Sequence, residues 1–183
     1  MKVASLHLGI IGPTHWQKNC KMLRMKEKKY LEETRKLAAV VKKLGFDIVV
    51  NPHFGGISHA FAAEFRRLEG GVIGIIPKQD NEFGIDYLDQ GVCSSTVDCG
   101  SWRNYAEKFN EECTAILCLG YSCGVLNEIA FSKWFGLKDG KPKKIFVVKE
   151  FVSACLPEES IKGLDVKYVP LKAVGKKLKG LGK

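Results

Sequence analysis

Apolar and polar positions along the chain fall into two alternating patterns. Short runs that are apolar almost throughout, Val3–Ile11, Phe46–Val50, Val72–Ile76, Ala115–Leu119 and Lys144–Val148, read as strands buried on both faces. Between them lie segments with apolar residues at helical spacing. The longest runs from Asn19 to Leu44, where Leu23, Tyr30, Leu37, Val41 and Leu44 keep the spacing with charges between them, and Gly45 is placed to close it. Ser58 is a candidate cap for a helix to about Leu68, stopped by Gly70-Gly71. Ser101 can cap one to about Glu112, and the turn Gly120–Gly124 leads into one to about Phe135. Pro77–Gly100 is irregular apart from a short strand at Ser95–Asp98. Pro157–Lys162 reads as a short helix and Val166–Val169 as a last strand.

Apolar strands alternating with helices predict an α/β fold: a single Rossmann-like, doubly wound domain over residues 1–183, with a mainly parallel sheet covered on both faces. Ligands of such sheets bind beyond the carboxyl ends of the strands, where the strand order reverses. The loops Gly12–Asn19, Asn51–Ser58 and Gly120–Val125 therefore form the candidate site.

Composition narrows the class. The chain has 183 residues, 45% hydrophobic and 27% charged, which is globular rather than disordered. Apolar stretches such as Phe46–Val50 and Val72–Pro77 are too short to span a bilayer, and Met1–Ser5 lacks the apolar core of a signal peptide, so a cytoplasmic, non-membrane protein is expected. The net charge of +9 favours anionic ligands, or marks a solvated lysine-rich surface. Lysines crowd Lys18–Lys43 and the tail Lys172–Lys183, which reads as a frayed end. Seven cysteines, an odd number with no C-x-x-C pair, argue against a disulfide framework. Cys113, Cys118 and Cys123 recur every five residues, which suits neither zinc ligation nor one helix face. Most cysteines are expected to be buried, with no metal site and no resident cofactor.

Neither G-x-G-x-x-G nor the P-loop pattern occurs. Gly120-Tyr121-Ser122-Cys123-Gly124 matches the G-x-S-x-G nucleophile elbow, and His53-Phe54-Gly55-Gly56 echoes an esterase oxyanion loop. The elbow requires its histidine after the serine, whereas His7, His15, His53 and His59 all precede Ser122. The same turn suits another chemistry. The first free N–H groups of a helix, with its dipole, form an anion site, Gly124 permits close backbone approach, and Ser122 adds a hydroxyl. Glu128 lies one turn further on the same face, near whatever the phosphate is attached to, or complementing the helix dipole.

At these residues the chain resembles the Lonely Guy proteins, long described as lysine decarboxylase-like. Leu44–Lys78 looks like the family's strand, glycine-rich loop, helix and V-I-G-V-I-P strand, although only Gly56 of Asn51–Ser58 keeps the later loop glycine. The signature P-G-G-x-G-T-x-x-E falls on Gly120–Glu128, where Gly124 and Glu128 match and the proline, both early glycines and the threonine are replaced. The family's arginine falls on Arg103, followed by Asn104 in place of lysine. The wider superfamily includes molybdenum-cofactor carrier proteins and the DNA-processing protein DprA.

The resemblance covers about residues 3–150. It implies a nucleotide-binding protein that hydrolyses a nucleoside 5′-monophosphate to base and ribose 5-phosphate, with Glu128 and Arg103 catalytic. Gly12, Thr14, Asn51, Gly55, Gly56, Ser58, Gly120, Tyr121, Ser122, Cys123, Gly124 and Val125 would bind the phosphate or nucleotide. The substituted glycines keep open a non-catalytic carrier or sensor of a nucleotide or of molybdenum cofactor. Nucleic-acid binding is disfavoured, because aromatic and basic residues are not interleaved as in single-strand readers. Phe131, Trp134 and Phe135 form an apolar helix stripe expected to be core or the seam of a homodimer.

Overall fold

The computed structural model describes residues 6–80, 85–135 and 142–181. Seven strands make one sheet: β1 (His7–Ile11), β2 (Asp47–Val50), β3 (Val72–Ile76), β4 (Ser95–Asp98), β5 (Ala115–Cys118), β6 (Lys144–Val148) and β7 (Asp165–Val169). Every neighbouring pair is parallel, in the order β4-β3-β2-β1-β5-β6-β7. The chain winds outward from β1 to β4, then resumes at β5 on the other side of β1. The strand order therefore reverses between β1 and β5, which opens a crevice at their carboxyl ends.

Helices α1 (Trp16–Leu23), α2 (Glu27–Lys43), α3 (Ile57–Arg67), α4 (Tyr105–Glu112), α5 (Cys123–Phe131) and α6 (Val174–Lys179) cover the sheet. Alternation within each strand divides the core into two layers. Leu8, Ile10, Ile48 and Val50 pack with Tyr30, Leu37, Phe61 and Phe65. Ile11, Val49 and Ile75 pack on the other side with Tyr105, Phe109 and Ile129. Gly9 lies in the middle of β1, where a methyl would sit 2.6 Å from Cζ of Phe109, so the bare residue lets α4 close on the sheet. Each large apolar side chain fully buried this way contributes about 1.5–3 kcal/mol, which is why runs as short as four residues hold as central strands.

Several expectations need correction. The single helix from Asn19 to Leu44 is two helices. Arg24 adopts φ 50° and Met25 N–H returns to Cys20 O at 3.0 Å, closing α1 with a left-handed residue that is not glycine. Leu23 and Tyr30, seven residues apart, hold the same face across this break, so the pattern conceals it. The strand expected at Val3–Ile11 begins at His7, and residues 3–5 lie outside the described residues. Ser58 is not a cap: Gly56 holds that position and Ser58 falls in the first turn. The tail is not frayed over its described part, since Val174 and Leu178 of α6 are fully buried in the layer of Leu37 and Val41. Helix α5 ends at Phe131, so Trp134 and Phe135 lie beyond it, and Trp134 is 68% exposed with its ring edge on Phe131. Most cysteines are buried as expected, namely Cys20, Cys99, Cys113 and Cys118, while Cys93 is half-buried and Cys123 and Cys155 are exposed. No described helix is long and apolar enough to cross a membrane.

Candidate functional site

The loops after β1, β2 and β5 leave the same edge of the sheet because those strands are parallel and adjacent. Gly12 is the point where they meet. A methyl there would lie 2.3 Å from Cγ2 of Ile57 and 3.3 Å from Cβ of Leu119, so only glycine lets the three loops close together. Hydrogen bonds then fix them. Ile57 N–H donates to Pro13 O at 3.3 Å, Trp16 Nε1–H to Gly55 O at 2.9 Å, and Ser58 Oγ to Asn51 O at 3.3 Å. The β5 loop is held from the opposite layer, by the Tyr30 hydroxyl on Leu119 O and by Asn19 Nδ2 on Tyr121 O at 3.2 Å. Gly120 turns this loop with φ 130°, a conformation side chains rarely adopt.

The loops enclose a cavity of about 80 Å³. Ile10, Ile11, Gly12 and Thr14 line it from β1 and its loop, Asn51, His53 and Ser58 from the β2 side, and Ser122, Gly124, Val125 and Glu128 from α5. A water needs about 10–15 Å³ on this measure, so the space suits one tetrahedral anion rather than a whole nucleotide. Helices α3 and α5 both begin at its wall. At α5, Ser122 Oγ accepts from Val125 N–H at 3.3 Å, while Cys123 and Gly124 N–H have no partner among the described residues. Two helix starts with free N–H groups give the cavity positive potential. Asn51, on the same wall, buries its Oδ1 without a hydrogen-bond partner.

Glu128 sits one turn into α5 at 8% exposure. Burial pushes its carboxyl up to about 8, opposed by the adjacent Tyr105 hydroxyl. That hydroxyl is itself buried, and burial followed by the neighbouring Glu128 holds it well above the usual phenol range. The contact is close enough to favour the carboxylate, yet its geometry falls short of a full hydrogen bond. Asn110 fixes α4 against α5, its Nδ2 donating to Ala106 O at 2.9 Å and Glu128 O at 3.0 Å. Buried Lys143 donates to Asn110 O from below.

The structure brings together most of the residues singled out in the sequence. Gly12, Thr14, Asn51, Ser58, Ser122, Gly124, Val125 and Glu128 share the cavity wall. Gly55, Gly56 and Gly120 shape the loops instead: Gly55 has φ 75° and Gly56 precedes α3. Tyr121 turns away, its hydroxyl donating to that of Tyr168 at 2.9 Å, and Cys123 is exposed off the cavity. Arg103 is exposed on a 3-10 turn, Trp102–Asn104, and does not line the cavity. Among the described residues Ser122 Oγ bonds Val125 N–H and no histidine.

Sequence reasoning missed His53 as a wall residue, although it stands inside the quoted loop, and missed Tyr105, which nothing in the motif marks. No group of three or more His, Cys, Asp or Glu among the described residues could hold a metal ion. A larger groove, about 280 Å³ between α2 and α6, is lined by Leu37, Val40, Leu171 and Gly175 and by the charged Glu33, Lys36 and Lys172. It lies away from the strand ends, where ligands of parallel sheets bind, so the smaller cavity is the better site.

Solved structures share this architecture at low identity. The molybdenum cofactor binding protein of the phototrophic bacterium Rippkaea orientalis matches with TM-score 0.71 and 13% identity over 100% of both chains. The molybdenum cofactor carrier protein of Chlamydomonas reinhardtii matches with TM-score 0.63 and 14% identity over 97% of this chain and 98% of that one. The structural-genomics target TM1055 matches with TM-score 0.62 and 15% identity over 96% and 99%. No protein-family model and no curated protein sequence matches the chain. The likeness establishes the fold, a single Rossmann-like α/β domain of the architecture found in molybdenum cofactor carrier proteins.

Proposed function

We propose that the chain is a non-catalytic carrier of a small phosphate-bearing ligand of the nucleotide or molybdenum-cofactor class, held by its phosphate in the cavity between β1, α3 and α5. The observation that carries this reading is the buried Glu128 carboxyl, pushed up to about 8 beside two helix starts. An ionised carboxylate there would repel a phosphate. A carboxyl kept protonated at neutral pH donates a hydrogen bond to it instead. N-glycosidic hydrolysis asks for the opposite, a carboxylate that stabilises an oxocarbenium-like centre or activates water. A protonated Glu128 could serve as an acid for the departing base, but Arg103, its partner in the Lonely Guy reading, lies on an exposed turn off the cavity.

Two proteins of the same fold are described as carrying or binding molybdenum cofactor, which supports a carrier over a hydrolase. The cofactor would be cargo, its phosphate against the Ser122–Val125 backbone. The homodimer belongs to the same proposal, supported by exposed Trp134 against Phe131 just past α5.

Isothermal titration with AMP, GMP, ribose 5-phosphate and a phosphorylated pterin, followed by chromatography for released base, tests the reading. Binding without base release is the expected result. Catalytic release of base would replace the carrier with the hydrolase, and no binding by any probe would remove both. A probe at 100 times its Kd should stabilise the fold by about 2.7 kcal/mol, so thermal shift gives an independent check.

A further inference from the structure

Exposed aromatic rings stand around His53, the aromatic residue of the cavity wall. Phe54 is 51% and Tyr87 61% exposed, and both flank His53 of the cavity wall. The His53 and Tyr87 rings are stacked, centroids 5.7 Å apart and planes 12° off parallel. Phe54 leans on His59 at 5.3 Å.

Isolated exposed aromatics are common and call for no explanation. These differ because the backbone beneath them is firmly held. Phe54 N–H donates to Tyr87 O at 2.7 Å and Asp89 N–H to Pro52 O at 2.8 Å, with an antiparallel bridge between His53 and Leu88. His59 Nε2 pairs with Asp89 Oδ2 at 2.9 Å, tying α3 to the second loop. His53 Nδ1–H donates to Phe54 O at 2.8 Å, which sets the ring's tautomer and orientation. The backbone that carries the rings is thus held in place, with little backbone entropy left to lose on binding.

We propose that His53, Phe54 and Tyr87 form a ring subsite that stacks the planar heterocycle of the ligand whose phosphate occupies the adjacent cavity. The proposal rests on the carrier reading and adds what selects the ligand. The cavity has room for the anion alone, so the rest of the ligand must lie across its mouth. Aromatic faces there favour a flat conjugated ring over a bare sugar phosphate. Stacking tolerates different ring edges, so discrimination falls between ligands with and without a heterocycle more than among bases.

The test compares AMP with ribose 5-phosphate by titration calorimetry, in wild type, Tyr87→Ala, Phe54→Ala and Tyr87→Phe. Both alanine changes remove exposed rings, and circular dichroism checks that the variants fold. Wild type should bind AMP more tightly than ribose 5-phosphate. The ratio of the two affinities should fall by about fivefold to 150-fold in each alanine variant, the range for one base–aromatic stack, and recover in Tyr87→Phe. Equal wild-type affinities, or a ratio unchanged in Tyr87→Ala, would overturn the ring subsite and leave the phosphate cavity standing. Failure of wild type to bind either probe would overturn the cavity reading and the subsite together.

Discussion

Replacing Glu128 with glutamine separates the charge of this side chain from its shape. The carboxyl has its ordinary value of 4.5 in the unfolded chain and about 8 in the fold. Below pH 4.5 both states are protonated and ionisation of the group contributes nothing. Between pH 4.5 and 8 the unfolded state releases its proton while the folded state keeps it, so folding loses stability as pH rises. At 1.36 kcal/mol per pH unit, this loss reaches about 3 kcal/mol at pH 7 and levels off near 5 kcal/mol above pH 8. Glutamine is neutral throughout and nearly the same size. Urea denaturation should therefore find Glu128→Gln and wild type similar near pH 4.5, with the variant gaining stability over wild type at each step to pH 8. The same change should flatten the pH dependence of phosphate binding, which in wild type should weaken above pH 8 as the carboxylate forms beside the anion. A stability difference that stays constant between pH 5 and 8 would refute the reasoning, because it would show that the carboxyl ionises alike in both states.

Other positions test the geometry around it. Gly12→Ala should cost about 1–3 kcal/mol by urea denaturation, since its methyl would meet Ile57 Cγ2 at 2.3 Å and the three loops cannot part without breaking their hydrogen bonds. Gly124→Ala should act in the opposite direction on stability, because an added Cβ meets only Ser122 Oγ at 3.9 Å and alanine restricts the unfolded chain, for a gain of about 0.4–1 kcal/mol. It should still weaken phosphate binding in calorimetry by about tenfold or more, by crowding a free N–H worth about 1.5–3 kcal/mol to a charged ligand. Trp134→Ala should leave folding stability within about 0.5 kcal/mol and shift sedimentation from dimer to monomer, whereas a wild type that sediments as monomer at high micromolar concentration would reject the dimer.

The sheet was legible because a strand covered on both faces must be apolar at every position, and few other structures place such runs between amphipathic segments. The break at Arg24 was not, because it depends on one residue entering the left-handed region while the apolar face continues in phase on either side. The tail misled for a related reason. Its lysines and glycines dominate the composition, but burial of Val174 and Leu178 against α2 is a tertiary event that outweighs the local preference. The short helix α5 shows the converse. Helical spacing carried the pattern on to Phe135, yet the helix ends at Phe131 and Trp134 beyond it is largely exposed.

At the candidate site, spacing puts Glu128 one turn beyond Gly124 on the same face, and both line the cavity. The upward shift of its carboxyl was not legible, because it is set by what closes over it. That closure comes from α4, where Tyr105 and Asn110 point inward. Read as one helix from Ser101, the segment gives no reason to prefer Tyr105 over Arg103. The 3-10 turn at Trp102–Asn104 precedes the first α-helical residue, and the change of phase turns Tyr105 to the core and Arg103 to solvent. A difference of two positions thus decides whether a phenol or a guanidinium stands next to the carboxyl. A guanidinium would hold Glu128 ionised, as a hydrolase needs. The phenol in a closed layer leaves burial dominant and the carboxyl pushed up to about 8, which supports the carrier reading. The family motif is blind to that choice, since it records the glutamate and the arginine but not which face of α4 meets α5.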